Sequence, residues 1–481
     1  MGKVLLEKLL RSCTGIRTIY LLMREKKGVS EADRLKEMVK NPVFDRLRAE
    51  SPKILNKIKM ICGNCESPGL GLSETDRFIL QNNVNIIFHV AASVRFDDSL
   101  KKAILMNTRA TREVLNLAKK MVNLDVLVHV STSYANTYHK KIIDEIPYPS
   151  RVDWRLMIKM AENLDDSTIN ILQPKILENY PNTYTFTKAL SEDIVSEESE
   201  NLPIVIFRPS IVTGAYAEPI EGWIDNFNGP TGMLLGGGLG ILHTVYVDEN
   251  VIPDFIPVDT AINAMIISSW YQALAFREQD RKSLVINACT SNMTPVSYHS
   301  LLENSLKVAK IFPFYRMIWY PFVLITSNKF IYNINVLLFH IIFGAILDIL
   351  IRLKGEKLSL MKIYRKAYFA NNAVSYFMFN EWRFKNGYFS SLDKVISKED
   401  LKIFPVMMNQ LSYEKTIKEI VVDLFGMKKY LLKEEVNSKK IQQARTNLQR
   451  LFILHCAVIS IIFLSIILIL WICRNRYQIL M

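Results

Sequence analysis

Between residues 15 and 290 the chain alternates short, continuous apolar runs with longer stretches of helical spacing. The runs at residues 18–23 (TIYLLM), 58–61, 85–90 (NIIFHV), 126–130 (VLVHV), 203–207 (PIVIF) and 284–288 predict strands. They are unbroken rather than alternating, as strands are when helices cover both faces. Helical stretches such as residues 107–121 and 184–200 lie between them. This βαβα order predicts an α/β fold with a parallel, doubly wound sheet. Such sheets begin on a central strand and a glycine-rich turn. This chain opens on a helix instead, with Val4, Leu5, Leu9 and Leu10 at helical spacing, so the first strand is expected to be missing.

Toward the carboxyl end the pattern changes. Residues 451–473 (LFILHCAVISIIFLSIILILWIC) contain no Asp, Glu, Lys or Arg. As a helix they extend about 35 Å, enough for a hydrocarbon core of roughly 30 Å. Arg450 and Arg474 bracket the run, and Trp471 stands where an interfacial aromatic belongs. Lys433, Lys439, Lys440, Arg445 and Arg450 precede it, against Arg474 and Arg476 after it. That bias predicts an integral membrane protein whose large amino-terminal part is cytosolic. A second apolar region, residues 317–350, is broken by Asn328, Lys329, Asn333, Asn335 and Asp348. Its longest clean run, residues 336–347, is too short to span, so a buried or interfacial helix is expected ahead of a spanning one.

Composition narrows the classes. With 481 residues, 49% hydrophobic and 22% charged, the chain is not mostly disordered. Six scattered cysteines exclude a disulfide scaffold. A net charge of +13 calls for a phosphate-rich cofactor, anionic lipid or nucleic acid. The basic residues are dispersed and no helix-turn-helix, zinc-finger or RNP pattern occurs, so nucleic acid is set aside. Cys62-Gly-Asn-Cys65 lacks the second pair that a zinc site wants, and no metal site is expected.

The candidate chemistry centres on Tyr184 and Lys188 in PNTYTFTKALSE. Four residues apart on a helix, a phenol and an ammonium share a face. The ammonium should lower the phenol's pKa, letting it protonate a carbonyl oxygen as hydride arrives at carbon. Lys188 can also hydrogen-bond the ribose of a nicotinamide cofactor. Residues 126–130 run into Ser131-Thr132-Ser133, hydroxyls at the carboxyl end of a parallel strand, where such sheets bind ligands. The same residues also serve as ordinary strand-end caps. Ala91 and Ala92 follow residues 85–90 and are small enough for a cofactor to lie against the backbone. Arg24 closes the second strand, where a cation binds the 2′-phosphate that separates NADP from NAD, with Lys26 and Lys27 beside it. A solvated basic turn explains it equally well.

The segments GKVLLEKLLRSC, IYLLMREKKG, FDRLR, GLGLS, FHVAASVRFDDSL, NTRATREVLNLAKKM, VHVSTSYAN, YTFTKALSE, FRPSIVTGAYAEPIEGWIDNFNGPTG, FIPVDTAINAMI and GMKKYLLKE occur in order from residue 1 to about 435. Together they resemble the alcohol-forming fatty acyl-CoA reductases of the extended short-chain dehydrogenase/reductase superfamily. The resemblance implies a Rossmann-type NADP-binding domain over residues 1–290. It implies a mostly helical domain over 300–435 that shapes the acyl site, and the 451–473 anchor. It makes Tyr184 the proton donor, Lys188 its electrostatic partner and ribose ligand, and Thr132, ahead of Ser133, the active-site hydroxyl. It puts Arg24 on the cofactor phosphate and Arg208, Pro209, Ser210 and Ile211 beside the nicotinamide.

The implied reaction takes long-chain fatty acyl-CoA to fatty alcohol through an aldehyde with two NADPH, at the endoplasmic reticulum or peroxisomal membrane. Three departures stand out. Of the family's TGxxGFxG turn only Gly2 is kept. Asn64 replaces the usual Asp against adenine. Phe343 replaces the Pro of an H-x-x-P-A stretch. The readings that follow are such a reductase recorded without its amino terminus, or a truncated non-catalytic acyl-CoA- or lipid-binding membrane protein of the same descent. A nucleotide-sugar epimerase would share YxxxK but leave the carboxyl domain and anchor unexplained.

Overall fold

The computed structural model describes residues 1–26, 28–139, 141–278, 283–293, 295–353, 355, 359–406, 413–435 and 437–479; Lys27 lies outside them. The chain forms two compact units interleaved in sequence. One comprises Met1–Trp223, Ile252–Pro295 and Asn380–Thr416, the other Ile224–Val251, Val296–Phe379 and Ile417–Met481.

The first unit holds β1 (Ile19–Met23), β2 (Ile58–Cys62), β3 (Ile86–His89), β4 (Val126–Val130), β5 (Ile142–Ile143), β6 (Ile204–Pro209), β7 (Leu284–Ala288) and β8 (Arg383–Phe384). Each predicted run falls on a strand to within two residues. The parallel sheet is in two pieces. β1 pairs with β2, Ile19 opposite Ile58, and a four-stranded piece runs β7-β6-β4-β3. β1 and β3 each keep one edge without a ladder partner among the described residues. β4, β6 and β7 are buried at every position, whereas β1 buries only Met23. Helices α1 (Gly2–Ser12), α2 (Thr183–Glu197) and α3 (Val258–Arg277) pack in the same unit. Phe186 and Leu190 of α2 join Leu127, Ile204 and Ile206 in the core. The short β8 returns the chain to this unit by pairing with β5, and the Trp382 indole donates to the Thr137 carbonyl at 3.0 Å.

The second unit contains α4 (Lys329–Leu353), α5 (Leu360–Met378) and α6 (Ser438–Ile479). The Asp348 carboxylate caps α5, accepting from the Leu360 and Met361 amides at 2.6 and 3.3 Å. A Cβ on Gly344 would lie 2.5 Å from the Tyr364 ring, so glycine is what lets the two helices approach there. Phe343, where proline would break the helix, carries α4 through unbroken. Of the buried or interfacial helix expected in this region, the buried alternative does not hold. Only 22% of the apolar window of α4 is covered, because one narrow face suffices to pack it on its unit.

Candidate active site

Helix α2 begins where Asn182 caps it, its side chain accepting the Thr185 amide at 2.9 Å. Its buried hydroxyls are bonded: Thr187 Oγ1 donates to the Thr183 carbonyl (2.8 Å) and Ser191 Oγ to that of Thr187 (2.7 Å), while Thr183 Oγ1 donates to the Asp98 carbonyl (3.1 Å). A polar sequence can thus lie inside with its hydroxyls satisfied. This fixes Tyr184, Lys188 and Glu192 on one face, one turn apart.

The Lys188 ammonium is 2% exposed, donates to the Val130 carbonyl at 2.6 Å and lies 3.5 Å from His129 Nε2. Burial pulls its pKa down from 10.5 to about 8, with Glu192 opposing the shift. Tyr184 is half-buried, stacks on Phe96 and hydrogen-bonds Thr132. Its pKa is pushed up to about 12, chiefly by burial, against the Thr132 hydrogen bond that lowers it. The expectation that Lys188 lowers the phenol's pKa is therefore corrected. Desolvation dominates, and the ammonium is spent on Val130 rather than aimed at the phenol.

The residues after β4 are held closely. The Ser131 amide donates to the Phe207 carbonyl at 2.7 Å, and Thr132 Oγ1 accepts the Tyr134 amide at 3.3 Å. Ser131 Oγ is buried with no hydrogen-bond partner among the described residues. Ser133 is buried, and its hydroxyl, like that of Ser131, has no hydrogen-bond partner among the described residues. The structure therefore brings Tyr184, Lys188, Thr132 and Ser133 together at the carboxyl end of β4.

The other expected residues are placed differently. Arg208 is fully buried. Its Nε and Nη2 meet Glu192 at 2.9 and 2.6 Å, and Nη1 and Nη2 donate to the carbonyls of Asp144 and Ile146. Its guanidinium is thus committed to protein acceptors. Pro209 ends β6, while the Ser210 and Ile211 amides donate to the carbonyls of Ala288 and Asp254 at 3.1 Å each. Gly2 is exposed at the start of α1, and Ala91 is exposed beside a half-buried Ala92. Asn64 accepts the Glu66 amide at 3.1 Å, closing the turn after β2. Arg24 is 43% exposed and pairs with Glu66 at 3.1 Å.

Sequence reasoning missed three residues. His89 and His129 face each other in register on β3 and β4, ring centroids 5.5 Å apart, beside Lys188. Burial, aided by the nearby ammonium, drops His89 to about 3 and holds His129 well below its ordinary value, so both are neutral. The signal was there: both runs end in His-Val. Glu192 was marked by spacing alone, four residues beyond Lys188.

The residues present suit a nicotinamide dinucleotide. An orphaned buried hydroxyl, a lysine with a donor to spare, the exposed amino terminus of α1 and an exposed arginine stand in one unit.

Comparison with known proteins agrees. An NAD-binding family described as male sterility protein matches residues 1–265, and a second family of that description matches residues 339–434. The chain is 36% identical to fatty acyl-CoA reductase wat of Drosophila melanogaster over 462 residues, 96% of this chain and 87% of the relative. It is 37% identical to fatty acyl-CoA reductase 1 of Homo sapiens over 451 residues, covering 94% and 86%. Among solved structures, the terminal R domain of the myxalamid PKS-NRPS pathway superposes with a TM-score of 0.56 at 18% identity, covering 89% and 87%. The reductase domain of a nonribosomal peptide synthetase from Mycobacterium tuberculosis gives 0.56 at 14% identity, covering 89% of each chain. These likenesses show a Rossmann-like reductase fold.

Proposed function

The chain belongs to the fatty acyl-CoA reductase family, and on that premise we propose that it reduces long-chain fatty acyl-CoA to fatty alcohol with NADPH. The observation that carries this reading is the convergence of Tyr184, Lys188 and Thr132 at the carboxyl end of β4. The cofactor, when bound, supplies one hydride to the thioester carbonyl carbon and, from a second molecule, one to the aldehyde carbon. Tyr184, protonated at neutral pH, gives its proton to the carbonyl oxygen each time, since an alkoxide is more basic than a phenolate, and the phenolate takes a new proton from solvent between the two reductions. Thr132 holds the phenol in place through its hydrogen bond. In the first half, the carbon–sulfur bond then breaks, the coenzyme A thiolate leaves with the hydroxyl proton, and the aldehyde remains. Lys188, its ammonium held by the Val130 carbonyl, offers its remaining donor to the ribose. Arg24 would hold the 2′-phosphate, the start of α1 at the exposed Gly2 the pyrophosphate, and Asn64 the adenine. Ala91 and Ala92 allow close approach, Ser133 flanks the substrate oxygen, and Pro209, Ser210 and Ile211 line the nicotinamide, with Arg208 acting through its strand.

The cofactor-binding domain lies within residues 1–290 and the acyl-side domain within 300–435, and 451–473 anchor the protein in the endoplasmic reticulum or peroxisomal membrane with the catalytic part cytosolic. The test is Tyr184→Phe, assayed by NADPH oxidation and alcohol formation from a long-chain acyl-CoA. Turnover should fall by about 10²–10⁴ with acyl-CoA binding kept. A variant retaining more than about a tenth of the rate would overturn the assignment.

A further inference from the structure

In the second unit, the buried residues of α4 recur every four positions: Tyr332, Val336, His340, Gly344 and Asp348. An ideal helix carries residues four apart about 40° further round at each step. The π turn over Val336–Ile342 winds wider and keeps the line on one face. Opposite that line runs an apolar stripe: Ile334, Leu338, Ile342, Ile346 and Leu350 are 39%, 48%, 48%, 53% and 50% exposed. Single exposed apolar side chains are ordinary on soluble surfaces. A stripe along a 25-residue helix is not.

Two features say what covers it. First, α4 and α6 meet at Trp319. Its indole donates to His455 Nδ1 on α6 at 3.0 Å, and its ring stands edge-on to Phe343, mid-way along α4, at 4.7 Å. His455 lies five residues past Arg450, about 7.5 Å along α6 at 1.5 Å per residue. The middle of α4 is therefore level with the first turns of the apolar run 451–473. Second, the segment 329–378 carries seven Lys and Arg against two acidic residues, and one of those, Asp348, is spent capping α5. Basic groups stand at both ends of α4, Lys329 and Arg352, as suits a helix lying among anionic headgroups.

We propose that α4 is a second membrane element, lying flat in the cytosolic interface of an anionic phospholipid bilayer, with its stripe against the acyl chains and its depth set by the Trp319–His455 contact. This rests on reading 451–473 as the membrane anchor. The stripe sits about 5–10 Å below the headgroups, the depth usual for such helices. A long acyl chain dissolved in that leaflet is then presented at protein level rather than drawn from water.

The experiment uses the full-length chain in nanodiscs of phosphatidylcholine and phosphatidylserine that hold one copy each. A fluorescent amino acid replaces Ile334, Ile342 or Leu350 in turn, with Lys362 as the exposed control. The expected result is equal quenching of all three by a shallow doxyl lipid, and shielding from aqueous iodide that the control lacks. A middle position much deeper than both ends would show a spanning helix and overturn the proposal. Iodide access at all three would also overturn it. So would shielding found only in discs holding two copies, which would make a second chain the cover. A probe at Ile459 reads the anchor separately: without lipid quenching there but with it on α4, the anchor reading fails and the stripe's assignment stands.

Discussion

The region around β4 and α2 and the region around Arg24 are built in opposite ways. Around β4 and α2, Lys188, Glu192 and Arg208 are dry and tied to named partners before any ligand arrives. Around β1 and the start of α1, Gly2 and Arg24 are exposed, and Arg24 is held by a surface carboxylate. A surface ion pair is worth about 0–1 kcal/mol, whereas removing one partner of a buried pair costs about 3–5 kcal/mol. One region is preorganised by folding; the other is left to be ordered by what binds it.

The largest break of that contrast is Glu192→Ala. It strands the Arg208 guanidinium in the core and should cost about 3–5 kcal/mol, read from thermal unfolding in detergent. Glu192→Leu combined with Arg208→Met removes both charges and should recover most of that loss. If the double variant folds like the wild type but no longer binds NADPH, the guanidinium itself reaches the cofactor and the contrast fails.

Lys188→Met sharpens it. The folded pKa of Lys188, about 8, lies below its ordinary 10.5, so folding penalises the charged form. The penalty is fully present below pH 8 and vanishes above 10.5, so stability should rise with pH across that window. At pH 7 the methionine variant should gain up to about 3 kcal/mol while losing turnover. In the unaltered enzyme, turnover should fall above about pH 8 as the ammonium empties. A variant less stable than wild type at pH 7 would show that Val130 and Glu192 more than repay the burial.

How far each region could be read from sequence follows the same divide. Strands β4, β6 and β7 were legible because a strand covered on both faces needs unbroken apolar residues, and a helix must put residues 184 and 188 on one side. What escaped depends on contacts between distant segments. Nothing local says that Arg208 turns inward to Glu192, or that His89 stands opposite His129 beside an ammonium. The sign of the Tyr184 shift escaped too, because spacing gives proximity but not desolvation, and desolvation wins. On α4 the apolar count was visible, yet which face it covered was set by Gly344 and Asp348 packing on α5.

The smallest effect tests the loosely built region. Arg24→Ala should raise the KM for NADPH about tenfold, some 1.4 kcal/mol, and leave that for NADH nearly unchanged. Only the 2′-phosphate needs the charge. The side chain is exposed, so the difference should shrink as salt rises through the range where the Debye length falls below about 8 Å. Glu66→Gln should act the other way, tightening NADPH a few-fold, because the phosphate must displace the Glu66 carboxylate from Arg24 at 3.1 Å. Equal losses for both cofactors in Arg24→Ala would make this a solvated basic turn. An unchanged KM in Glu66→Gln would mean the pair is not the contact that the ligand replaces.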